Sequence, residues 1–207
     1  MSKKIQRKGD NFVKDALILF AITLILGLCL GMVYTVTKKP IDNAAEEAKQ
    51  VAYQKVFEGA DIEVKQDDKL TAAAEAFISE TNNAVIQEAV IVCDKSSNEL
   101  GKAFIASGKG YGGDVTISVG IGTDGVITGI DIISMNETAG LGANCTRPEF
   151  KEQFKGKSGE IAVVKSGASQ ENEIDALSGA TITSKAVTSA VNACLEFASA
   201  FGEGAAE

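Results

Sequence analysis

From the first residues onward, the pattern of polar and apolar positions is dominated by a run that has no pattern at all. Between Ala16 and Thr37 no charged residue occurs, and the segment ALILFAITLILGLCLGMVYTVT is apolar on every side. A helix needs about 20 such residues to cross the hydrocarbon layer. A helix that is apolar all round belongs in a bilayer or a deep core, and a domain of this size rarely encloses one so long. The run therefore predicts a transmembrane helix over residues 16–37. A cleaved signal peptide is the nearest rival, but the run exceeds a usual apolar signal core. Lys38, Lys39 and Pro40 also stand where a small-residue cleavage site belongs. Leu28 before Cys29 argues equally against lipoprotein cleavage. Gly27 and Gly31 are either a face for close helix approach or simply the glycine common in membrane helices.

Periodicity returns after the span. Ala44, Ala45, Ala48, Val51, Ala52 and Val56 recur at helical spacing, predicting a stalk helix over 41–57 capped by Asp42 and continuing into the domain. Residues 60–68 read as a strand or loop, and the alanine-rich 70–77 as a short helix. Ala89 to Val92 is a buried strand, and Ala103 to Ala106 a second, ending at the turn Ser107-Gly108-Lys109-Gly110. Val115 to Ile121 alternates large apolar with small or polar residues. Gly122-Thr123-Asp124-Gly125 supplies a turn, and Val126 to Ile133 completes a β-hairpin. Near the end, Val187, Ala190, Val191, Cys194, Ala198 and Phe201 form one helical stripe. This predicts a helix from Thr183 to Phe201, capped by Thr183 or Ser184, with GEGAAE as a frayed tail. No repeat or linker divides the region, so the fold class is α+β: one span, then one domain (38–207) with an antiparallel sheet and flanking helices.

Charge orients this arrangement. Lys3, Lys4, Arg7, Lys8 and Lys14 precede the span, whereas only Lys38 and Lys39 follow closely. The positive-inside tendency predicts a cytoplasmic N-terminus over 1–15 and an extracytoplasmic domain. Five of the 20 basic and two of the 28 acidic residues lie before Lys38, so the remainder is strongly acidic. Such a surface suits neither nucleic acid nor anionic lipid headgroups and reads as solubilising. Cys29, Cys93, Cys145 and Cys194 lack ligand spacing, which makes a metal or iron–sulfur site within this chain improbable. Cys93–Cys145 and Cys145–Cys194 pairings stay open, and buried free thiols are the simpler reading. The chain has no histidine, which removes the usual general base and the usual metal ligand.

Three stretches carry candidate chemistry. Gly110-Tyr111-Gly112-Gly113 is either a tight turn or a place where a ligand approaches the backbone closely. Asn136-Glu137-Thr138-Ala139-Gly140-Leu141-Gly142 follows a strand. It is either a surface loop or a cradle whose backbone groups meet a flat heterocycle while Leu141 packs on its face. Asp175-Ala176-Leu177-Ser178-Gly179-Ala180-Thr181 runs into a helix, where free N–H groups and the helix dipole suit a phosphate. Alone it is equally a turn and a helix cap, since it has neither a Walker lysine nor the G-x-G-x-x-G of a dinucleotide site.

Taken together, in this order and behind one span, the three stretches resemble the G subunits of Rnf electron-transport complexes. The chain is similar, more distantly, to the C subunits of sodium-translocating NADH:quinone reductases. The matching motifs are a GYGG turn (Gly110 to Gly113), an E-T-P-G-L-G loop (Glu137 to Gly142) and D-x-x-[ST]-G-A-T (Asp175 to Thr181). Ala139 stands where the family usually has proline, and Asn136 where histidine is frequent. The resemblance implies an FMN-binding domain and a phosphoester between FMN and the hydroxyl of Thr181, made by a separate flavin transferase using FAD. It implies that Asp175, Ser178 and Gly179 are part of what that enzyme recognises, with Ala180 beside them at the cofactor site. Thr183, Ser184 and the helix-start N–H groups would hold the phosphate. Glu137, Thr138, Leu141 and Gly142 would line the isoalloxazine with Tyr111 nearby, and Lys165 would offset the phosphate charge. It further implies other membrane proteins of the complex as partners, and electron relay rather than turnover of a small molecule. Outside the cytoplasm a tether prevents loss of the flavin by dilution. A flavin carrier outside any pump uses the same residues, and a cofactor-free anchored binding domain is the reading from another class.

Overall fold

The computed structural model describes residues 12–77 and 83–204, and the chain divides into two units, 1–47 and 48–207. Lys3, Lys4, Arg7 and Lys8, and residues 205–207 of the tail, lie outside the described residues. The first unit is helical. Helix α1 spans Phe12–Val56 without interruption, and its apolar part is long enough to cross a membrane. Its threonines turn back on the helix: Thr23, Thr35 and Thr37 donate to the carbonyls of Leu19, Gly31 and Val33 at 3.1, 2.6 and 2.9 Å. That satisfies their hydroxyls within the helix itself. The separate stalk helix capped by Asp42 is corrected here, because Pro40 lies inside α1. Proline removes one backbone bond and normally marks a break. The strong helix formers Ala44, Ala45, Glu46, Glu47 and Ala48 carry the helix onward.

In the second unit, the last turns of α1 lead to β1 (Ile62–Gln66), then α2 (Asp68–Ala76). Asp67 caps α2, its carboxylate accepting from the backbone of Lys69 and Leu70 at 2.9 and 3.2 Å. Four long strands follow: β2 (Ala84–Asp94), β3 (Glu99–Lys109), β4 (Asp114–Gly122) and β5 (Ile127–Ser134). Each pairs antiparallel with the next, giving a five-stranded meander in chain order. Short loops suffice for such neighbours, and turn chemistry in the sequence located the one between β4 and β5. The alternation in β4 divides the sheet. Val115, Ile117 and Val119 enter one core, whereas Ser118 and Gly120 face the other side.

The larger core lies under α4 (Thr181–Gly204), whose Val187, Ala190, Val191 and Cys194 are fully buried against Ile86, Phe104, Ala106, Ile117 and Val119. On the opposite face, Tyr53, Val56 and Phe57 pack on Val90, Val92, Ala103 and Ile105. Gly120 and Gly129, paired across β4 and β5, permit this approach. A Cβ on Gly129 would stand 3.3 Å from the Val56 backbone, and one on Gly120 would stand 2.9 Å from the Val56 carbonyl. Asp131 fixes the same region, accepting from Lys55 at 2.8 Å and from Lys151 of α3 (Pro148–Lys151) at 2.6 Å. Burial acts to raise its pKa, but the two lysines outweigh it and hold the carboxyl below its ordinary range.

Two further details depart from the sequence expectations. Strand β3 continues to Lys109, so the turn is Gly110 to Gly113 itself and not Ser107 to Gly110. Strands β6 (Ala162–Val164) and β7 (Glu173–Asp175) form a short parallel pair that the sequence did not signal, being only three residues each. Cys93, Cys145 and Cys194 are buried free thiols, so neither candidate disulfide forms. Burial, with Glu137 nearby, pushes the Cys145 thiol up to about 11, and burial alone raises Cys194.

Candidate functional site

The three stretches singled out in the sequence meet, and Glu137 joins them. Its Oε1 accepts from the backbone N–H groups of Tyr111 (2.7 Å) and Gly112 (3.2 Å) in the β3–β4 turn. Its Oε2 accepts from the hydroxyl of Thr183, in the first turn of α4, at 3.0 Å. A carboxylate on an extended strand exit can reach both because it carries two acceptor oxygens. Asn136 adds a parallel bond, its Nδ2 donating to the carbonyl of Gly112 at 3.2 Å. Gly110, Gly112 and Gly142 leave room for this arrangement. A Cβ at 110 would strike Glu137, one at 112 would strike the Asn136 carbonyl, and one at 142 would lie 2.5 Å from Glu137 Oε2 and 2.6 Å from Thr183 Oγ1.

From Glu137 the loop doubles back on itself. The N–H groups of Leu141 and Ala143 donate to the Thr138 carbonyl at 3.1 and 3.2 Å, with Gly140 at φ 77°. Gly142 is buried and opens a 3-10 turn over Gly142–Thr146, while Thr138 and Leu141 are more open to solvent. Leu141 points at the third stretch: a Cβ placed on Gly179 would lie 3.1 Å from its Cδ2.

The third stretch is a turn feeding a helix. Ala180 N–H donates to the Leu177 carbonyl at 2.9 Å, and Gly179 has φ 73°, which places glycine where a type II turn requires a left-handed residue. Helix α4 then starts at Thr181, two residues earlier than the periodicity suggested. Thr183 and Ser184 are therefore not caps. Ser184 lies inside the first turn, where its hydroxyl accepts from Leu177 N–H at 2.9 Å and donates to the Ala180 carbonyl at 3.0 Å. Alanine at the cap position offers no side-chain oxygen, so Ser184 satisfies the incoming chain instead.

The hydroxyls thus divide into two groups. Those of Thr183 and Ser184 are buried and committed to internal bonds. Among the described residues, those of Ser178, which is exposed, and Thr181, which is half-buried, have no protein partner. The N–H groups of Thr181, Ile182 and Thr183 lie in the first turn, where helix geometry provides no carbonyl. Exposed apolar side chains occur on each of the joined elements: Tyr111 in the β3–β4 turn (75% exposed), Leu141 in the loop after β5 (44%) and Ile182 in α4 (53%). Ile182 escaped the sequence reading; its signal was an apolar residue off the buried stripe of α4. Asp175 lies at the end of β7, its carboxylate accepting from Ala168 N–H at 2.9 Å and its own N–H donating to Gln153 at 2.7 Å. Lys165 is exposed just past the end of β6, and no measured contact joins it to Thr181.

Open donors at a helix start, a free hydroxyl among them and an apolar rim alongside fit a group with one phosphate and one flat, largely apolar ring. FMN is such a group. The FMN-binding domain family matches residues 110–196, which span all three stretches. The chain is 37% identical over 201 residues to the G subunit of the Na(+)-translocating ferredoxin:NAD(+) oxidoreductase complex of Acetobacterium woodii, covering 94% of this chain and 95% of that one. It is 39% identical over 110 residues to the G subunit of the proton-translocating ferredoxin:NAD(+) oxidoreductase complex of Clostridium ljungdahlii, covering 53% and 60%. The crystal structure of Shewanella oneidensis NqrC aligns with 68% of this chain and 80% of its own, at TM-score 0.49 and 19% identity. With a relative matched along nearly its whole length, the chain belongs to the family of G subunits of ion-translocating ferredoxin:NAD(+) oxidoreductase (Rnf) complexes.

Proposed function

We propose that this chain is the electron-transfer subunit of an ion-translocating ferredoxin:NAD(+) oxidoreductase, and that it carries FMN covalently on Thr181. The observation that carries the attachment is the unpartnered Thr181 hydroxyl at the first residue of α4, beside the Leu141 loop. A flavin transferase supplies the group. Thr181 Oγ bonds to the phosphorus of the FMN half of FAD, the pyrophosphate bond breaks, AMP leaves, and the hydroxyl proton is released. FMN then supplies the electron chemistry.

The chain's own residues hold the group. The N–H groups of Thr181 and Ile182, with the helix dipole behind them, bear the phosphate charge. Tyr111, Leu141 and Ile182 offer apolar surface to the ring, and Thr138 and Gly142 flank it. Ser178, Gly179 and Ala180 present the turn to the transferase, Ser184 keeps that turn in register with the helix, and Lys165, exposed just past β6, offsets phosphate charge. The apolar part of α1 crosses the bilayer once, with residues 1–15 on the cytoplasmic side and the domain outside. Other membrane proteins of the complex surround it.

The test is Thr181→Val, which removes the hydroxyl and keeps the volume. Full-length chain co-produced with a flavin transferase is denatured and run on a gel. The wild-type band should fluoresce, the variant band should be dark, and the two should melt at similar temperatures. A fluorescent Thr181→Val band places the link elsewhere.

A further inference from the structure

Glu137 is positioned to do something other than touch a ring. Both its carboxylate oxygens are occupied, by two backbone N–H groups of the β3–β4 turn and by the Thr183 hydroxyl of α4. Gly110 and Gly142 are free of side chains where a Cβ would intrude on that carboxylate. Thr183 is 1% exposed, so it has no surface for a ligand, and its hydroxyl serves only this bond. The loop that begins at Glu137 ends at Leu141, whose side chain meets the Gly179 turn immediately before Thr181. The two anchors of the carboxylate therefore fix the distance between the Leu141 face and the attachment turn.

We propose that Glu137 is a positioning residue for the flavin: its carboxylate ties the GYGG turn, the Leu141 loop and the first turn of α4 into one rigid seat, acting through these elements without contacting the ring. This rests on attachment at Thr181. A charge-assisted bond on each oxygen resists loosening more than neutral bonds do. Glutamine at 137 keeps the shape: its carbonyl accepts from Tyr111 and Gly112, and its amide donates to Thr183, whose hydroxyl also accepts. Alanine cuts both ties, and valine at 183 cuts one.

The experiment uses full-length chain in detergent, flavinylated by the transferase with FAD, in five forms: wild type, Glu137→Gln, Glu137→Ala, Thr183→Val and the Glu137→Ala/Thr183→Val pair. Three readouts are taken: the initial attachment rate by intact mass, fluorescence of the attached flavin, and its midpoint potential. Glu137→Ala should slow attachment by roughly tenfold or more, since the loss of even one of its charge-assisted bonds is worth about that, brighten the flavin and shift its potential. Thr183→Val should move all three in the same direction by less. The pair should match Glu137→Ala alone, because the tie that Thr183→Val removes is already lost with the carboxylate. Glu137→Gln should stay near wild type. If Glu137→Gln shifts the potential as far as Glu137→Ala while Thr183→Val does nothing, the carboxylate charge acts directly on the ring and the proposal is overturned. Identical behaviour of all five forms also overturns it. Should Glu137→Ala not fold, the contrast between Thr183→Val and Glu137→Gln decides in the same way. Failure of the attachment site itself shows separately, as an adduct on a peptide lacking Thr181.

Discussion

Residue 142 shows how little slack the site has. A methyl group there would lie 2.5 Å from Glu137 Oε2 and 2.6 Å from Thr183 Oγ1, so Gly142→Ala must push the two bonded partners apart. Overpacking of this kind costs about 1–3 kcal/mol. Denaturant unfolding should show that loss, and flavin attachment should slow with it. Gly179→Ala acts differently. Its backbone sits at φ 73°, where a side chain costs about 1–2 kcal/mol, and the new methyl crowds Leu141. Attachment by intact mass should fall while the sheet core, followed by hydrogen exchange, stays protected. At this scale the sequence displayed the participants but not their wiring. Glu137 and Gly112 were visible as motif members and Thr183 as a helix-start residue, yet the bonds among them span 25 and 46 positions and have no local signature. The same gap explains why Thr183 and Ser184 read as caps: their hydroxyls are spent on partners that periodicity cannot see.

Elements were more legible, because β4 carries its own alternation and the β3–β4 and β4–β5 turns their own glycines. The β4–β5 hairpin follows directly from Val115 to Ile133, and the stripe on α4 names the residues that became its core. What failed was where a local rule met a tertiary one. Pro40 signals a break, but α1 runs through it. Strands β6 and β7 are three residues each and gain their pairing only from where the chain ends up. The docking of the last turns of α1 on the sheet provides two tests. Gly120→Ala sets a methyl 2.9 Å from the Val56 carbonyl and against Thr128 Oγ1, and should destabilise the domain by about 1–3 kcal/mol in denaturant melts. Asp131→Asn removes the charge that Lys55 and Lys151 share and should cost about 2 kcal/mol near neutral pH. Because the folded carboxyl is held below its ordinary value, its contribution is present above about pH 3.9 and is lost as pH falls through the lowered value. The difference between variant and wild type should therefore close on acidification.

At the scale of the whole molecule, the chain joins one long apolar helix to one acidic α+β domain. The helix is long and apolar enough to cross a membrane, so the full chain should resist alkaline extraction from membranes and require detergent. The strongly acidic domain should remain soluble in water. A loosely held flavin in an open compartment would be diluted away, whereas one tethered beside its seat stays at high effective concentration. The most direct measurement is the intact mass of the full-length chain co-produced with a flavin transferase, followed by location of the modified peptide. The account predicts a single increment of one FMN less one water, on the peptide containing Thr181. An unmodified mass with flavin released on denaturation, or an adduct on any other residue, would contradict it.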